Sequence, residues 1–144
     1  MRLWHYELLP YLPDAQFKGQ LRELVAIGKD LLQKGKTNHI LINRVMEYPK
    51  SDLAGYFMLY EEEYRKRYNK TFDKDIYLLF GVLSNNTATY PPFKYWHNKE
   101  YLRVCVCNLY EKYHFGVGKS KISQAEWDRI LQGYENITGE KWVL

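Results

Sequence analysis

A chain of 144 residues, 46% hydrophobic and 26% charged, is long enough to bury one continuous core without disulfide or metal staples, and its composition excludes a disordered chain. The formal charge of +4 and an isoelectric point near 8.9 are a weak signal for an anionic partner, because many basic proteins bind no nucleic acid. No apolar run approaches the roughly 20 residues that span a bilayer, and the start MRLWHYELLPYLP lacks a signal-peptide layout, so one cytoplasmic domain over residues 1–144 with no membrane association is expected.

Apolar spacing near 3.6 predominates, and no Val, Ile and Thr-rich run alternates, which predicts an all-α fold, a single compact multi-helix domain. The first helix is expected to start at Asp14 as its N-cap, to carry Phe17, Leu21, Leu24, Leu31 and Leu32 on one stripe, and to stop at Lys34 and Gly35. Gln16, Gly19, Gln20, Glu23 and Ala26 occupy its opposite face. Asn38 to Tyr48 reads as a shorter helical or irregular stretch closed by Pro49. Ser51 or Asp52 then caps a helix that turns Leu53, Tyr56, Phe57, Tyr60 and Tyr64 inward, with Glu61, Glu62, Glu63, Arg65, Lys66 and Arg67 as its solvated side.

Asp73 to Leu83 gives a further helix, after which SNNTATYPPFKYWHN breaks the periodicity and makes the longest loop. Asn98 to Tyr113 resumes a helix. Its Cys105 and Cys107, two apart, point to different faces, which suits neither a shared disulfide nor a CxxC site and reads as buried reduced thiols. Ser123-Gln124-Ala125-Glu126 is a capping box that opens a last helix through Trp127, Ile130, Leu131 and Tyr134.

Chemistry concentrates on Glu23. It follows Arg22 in mid-helix and shares a face with Gly19 and Ala26, whose small side chains leave space above the carboxylate. A partly desolvated carboxylate beside a cation steadies a positive intermediate and moves protons; on spacing alone, an ordinary surface glutamate is the default. LPDAQFKGQLREL, from Leu12 to Leu24, resembles the first-helix motif of the pyrimidine-dimer DNA glycosylase family, also described as the endonuclease V or pyrimidine-dimer excision family. The start MRLWH and the opening LLPYLP resemble one branch of it, and NHILINRVMEYPKSDLAGYFMLYEEEYRKR continues the likeness more loosely. The first half of the chain is covered well and the second half poorly.

The resemblance implies a DNA glycosylase and abasic-site lyase that acts without a cofactor on double-stranded DNA containing a lesion or abasic site. In such an enzyme the terminal α-amine attacks the sugar C1′, the base leaves, and an imine permits β-elimination. Met1 would supply the amine, whose ordinary pKa of about 7.7 to 8.0 leaves more free base at neutrality than a lysine has. Glu23 would be the catalytic carboxylate, and Arg22 would hold a phosphate. Two departures stand out: bulky Arg2 should leave Met1 in place, and Ala26 stands where the family carries an arginine, which makes Lys29 a candidate source of the missing charge.

Arg2, Arg22, Lys29, Lys36, His39, Lys94, Tyr95 and Trp96 are the candidate DNA contacts. His39 follows the basic run Lys34 to Lys36 and reads equally as a DNA contact or as a partly buried helix-entry residue. Tyr90 to His97 interleaves aromatics with a cation, the mixture that stacks on unpaired bases, or else is a proline-braced loop whose aromatics complete the core. The four histidines show no metal-ligand spacing, and Gly116 to Ser120 lacks the phosphate-loop pattern. Two other readings remain: a DNA-binding protein of the same fold without catalysis, and a helical protein-interaction domain with YPPFKYW as partner surface.

Overall fold

Five α-helices carry the chain in the computed structural model, which describes residues 2–144: α1 Asp14–Lys34, α2 Lys50–Tyr68, α3 Lys74–Ser84, α4 Lys99–His114 and α5 Gln124–Thr138. Short 3-10 segments, Tyr6–Tyr11, Ile42–Glu47 and Gly118–Ser120, make up the other helical turns, and no strand occurs among the described residues. The all-α expectation holds. Among the described residues no helix is long and apolar enough to cross a membrane.

α1 forms where its periodicity predicts. Phe17, Leu24, Ile27 and Leu31 are buried on one stripe, and Gly35 closes the helix in the left-handed conformation at φ 73°, a geometry that costs glycine nothing. Leu32, about 100° round the helix from Leu31, is exposed rather than packed. The N-cap is Pro13, not Asp14, because the Asp14 carboxylate is taken by the Tyr68 hydroxyl at 2.6 Å. Likewise α2 starts behind Pro49, and neither Ser51 nor Asp52 caps it. Asp52 is buried and accepts the Phe93 N–H at 2.8 Å, while the Ser51 hydroxyl is engaged by Thr89. The Ser123–Glu126 capping box forms as expected.

α2 is the central helix, covered on more sides than its amphipathic reading allows. Leu53, Tyr56, Phe57 and Tyr60 are buried as expected, but so is Glu61, which accepts from Arg65 and from the Tyr77 hydroxyl of α3, both at 2.8 Å. Arg67 is also drawn in. It lies 4.1 Å over the Phe17 ring and donates to the carbonyls of Leu9 and Pro10, which ties the end of α2 to the segment before α1. At the other end of α2, Gly55 sits against the Thr89 carbonyl, so any side chain there would collide with backbone. Cys105 is buried in α4, whereas Cys107 is exposed, since two residues turn a helix about 200°.

Candidate active site at the start of the chain

The chain start is an interior element. Leu3, Trp4 and His5 are buried, and their backbone groups are satisfied by side chains from α1, α2 and α4. The Gln20 amide pairs with the backbone from both its ends: Nε2 donates to the Arg2 carbonyl at 2.7 Å and Oε1 accepts the Trp4 N–H at 2.8 Å. In extended chain these two groups lie on the same edge, so one side-chain amide imitates a neighbouring strand and sets the register. Tyr56 donates to the Trp4 carbonyl and to Gln20 Oε1 at 2.6 and 3.1 Å, and Tyr101 donates to the Leu3 carbonyl at 2.6 Å. Burial pushes the pKa of both phenols up, so each stays a protonated donor.

This clamp delivers the chain to Glu23. The Arg2 N–H donates to Glu23 Oε2 at 3.1 Å, and Gln20 Nε2 reaches the same oxygen at 3.3 Å. Met1 lies outside the described residues, but covalent structure places its α-amine three bonds from that Arg2 nitrogen. Glu23, Gly19, Arg2 and Trp4 line a cleft of about 330 Å³ whose far wall is Asn108 and Lys112 of α4 together with Ser120. At Gly19 a Cβ would meet nothing within 4 Å, so the space expected beside Glu23 exists. Lys112 takes part in none of the ion pairs among the described residues.

Behind the clamp, His5 and His97 stack at 5.2 Å. His5 Nδ1 accepts the Glu7 N–H, and His97 Nδ1 accepts the Tyr6 N–H, each at 3.1 Å. Burial depresses both imidazoles, His5 to about 4, so both are neutral at neutral pH. They brace the turn that follows the clamp.

The remaining candidate residues divide between the surface and the core. Arg22, Lys29, Lys36 and His39 are exposed, and neither Arg22 nor Lys29 lines the cleft; the cations that do are Arg2 and Lys112. Arg2 lies 5.4 Å over the Trp4 ring. Lys94 and Tyr95 are exposed, but Trp96 is only 4% exposed, packed against Phe93, His97 and Tyr101. Its indole is core and presents no face to an unpaired base. Gln20, Asn108 and Lys112 escaped sequence reasoning. Gln16, Gln20 and Glu23 at i, i+4 and i+7 form a polar row that was a usable signal, but Asn108 and Lys112 lie in the half that the family resemblance covers poorly.

An all-helical domain that binds its own first residues against a helix carboxylate is the class that fold and site define. The family model for pyrimidine dimer DNA glycosylases matches residues 1–76, just over half the chain, and the protein belongs to that family. The match includes Glu23 and stops before α4. No curated protein and no solved structure matches the chain.

Proposed function

We propose that this protein is a DNA glycosylase and abasic-site lyase whose nucleophile is the α-amine of Met1. The observation that carries the reading is the Arg2 N–H bonded to Glu23 Oε2 at 3.1 Å, which holds the residue next to the amine against the one carboxylate of the cleft. The unprotonated amine attacks C1′ of the damaged nucleotide, and the C1′–N bond breaks with the base leaving as it gains a proton. Loss of the amine proton and opening of the sugar ring then give a protonated imine. Glu23 receives and returns these protons, and its charge offsets that of the imine.

Removal of a C2′ proton expels the 3′ phosphate by β-elimination, and water hydrolyses the imine to restore the amine. Lys112 lines the same cleft as Glu23 and takes the phosphate contact left vacant by Ala26, while Arg22, Lys29, Lys36 and Lys94 supply charge around it. Extrusion of the nucleotide is least costly at a lesion that already weakens stacking. Incubation with abasic duplex and borohydride should trap a covalent adduct that maps to the Met1 amine. An adduct confined to lysine side chains would remove Met1 from the mechanism, and binding with no adduct would leave a DNA-binding protein of this family without catalysis.

A further inference from the structure

Ile40 and Leu41 are 87% and 76% exposed, adjacent, and held out by a built turn. The Thr37 N–H and hydroxyl both donate to Asn43 Oδ1 at 2.9 and 2.7 Å, and Asn43 Nδ2 donates back to the Thr37 carbonyl at 3.2 Å. Ile42 and Asn43 both donate their N–H to the His39 carbonyl at 3.0 Å. Thr37 itself is buried, so the clasp is anchored in the protein while the two aliphatic side chains point to solvent. Exposed apolar side chains are common singly; a braced adjacent pair is an arrangement that needs an occupant.

The surroundings say which occupant. Lys36 and His39 precede the tip and Arg44 follows it, all exposed. Arg44 lies 5.9 Å over the Trp96 ring, Trp96 packs on Tyr101 at 5.6 Å, and Tyr101 donates to the Leu3 carbonyl. The base of the tip is thus joined by continuous contacts to the chain start, with Tyr95, 75% exposed, beside it. The positive charge of Lys36 and of Arg44, which also pairs with Glu47 at 3.4 Å, beside an apolar point matches a polyanion with an apolar interior. Two side chains fall far short of the roughly 800 Å² a side that a stable protein interface buries.

We infer that Ile40 and Leu41 form a wedge that enters the base stack of duplex DNA beside the lesion, while Lys36, His39 and Arg44 hold the flanking phosphates. This inference rests on the reading of the protein as an enzyme of damaged DNA. Insertion of an aliphatic pair unstacks one base step and kinks the duplex, which exposes the sugar to the cleft. Single-stranded abasic DNA has no step to open and does not need the wedge.

The test uses the full chain and its Ile40→Ala/Leu41→Ala variant, with abasic duplex carrying 2-aminopurine next to the lesion, and the same strand unpaired. Wild type should brighten the duplex probe at saturation. The variant should lose that signal and bind duplex at least about tenfold more weakly, with borohydride trapping on the single strand unchanged. Equal duplex signal and affinity in the two proteins overturns the wedge, with wild-type trapping still standing for the lyase. An equal loss on duplex and single strand also overturns it, since that marks a general contact, as does wild-type self-association abolished by the variant. Failure of wild type to trap or bind any abasic DNA overturns the parent reading along with this one.

Discussion

Glu23 carries two burdens at one oxygen, the N–H of Arg2 and the amide of Gln20, and its charge is what the proposed chemistry uses. Glu23→Gln keeps the size and an acceptor for the Arg2 N–H while it removes the charge. Single-turnover cleavage of an abasic duplex should fall roughly 10²- to 10⁴-fold, with DNA affinity kept or raised. Equal rates at saturating enzyme would exclude the carboxylate from catalysis. The histidine pair makes a second residue-scale prediction. In the unfolded chain both titrate near 6.5, and in the fold burial holds them lower, His5 at about 4. Their contribution to stability is therefore complete above pH 6.5 and is lost as the pH falls towards 4, because the unfolded state binds more protons there. The limiting slope is about 1.4 kcal/mol per pH unit for each histidine. Glu7, raised by burial, works in the opposite sense. Urea midpoints between about pH 7.5 and about pH 5 should drop for wild type and drop less for His97→Gln, whose amide oxygen replaces the acceptor for Tyr6.

Among the elements, the loop from Asn85 to Asn98 is fixed by its contacts with the first turns of α2, through Asp52 to Phe93 and Ser51 to Thr89. Gly55→Ala would push a methyl into the Thr89 carbonyl and force helix and loop apart. Alanine favours the helix itself by about 1 kcal/mol, so a net destabilisation of roughly 1 to 3 kcal/mol in urea unfolding is the mark of the clash; a stabilised variant would show that the loop yields. Local rules made the helices legible. The α1 span follows from a 21-residue stripe and Gly35, and α5 from its capping box. What stayed hidden depended on distant partners: Glu61 reads as solvated until α3 brings Tyr77 to it, and Arg67 until the Leu9 and Pro10 carbonyls and the Phe17 ring are in place.

At the scale of the whole molecule, half of the site was readable. Glu23 and the chain start lie in the segment that resembles a family, but the wall opposite, with Asn108, Lys112 and Ser120, is built from α4 and the turn before α5, and nothing local in those residues announces a cleft. The same separation governs when the site can exist. The clamp joins Leu3 to Tyr101, and beside it Gln16 donates to the Ser120 carbonyl, sequence separations of 98 and 104 residues whose loop-closure entropy must be met before the contacts form. A nascent chain on the ribosome therefore carries its first residues and Glu23 for most of its synthesis without the α4 wall that encloses them. The cleft is complete only after Ser120 has been released from the exit tunnel, so partial translation products lack the finished wall on which the proposed chemistry depends.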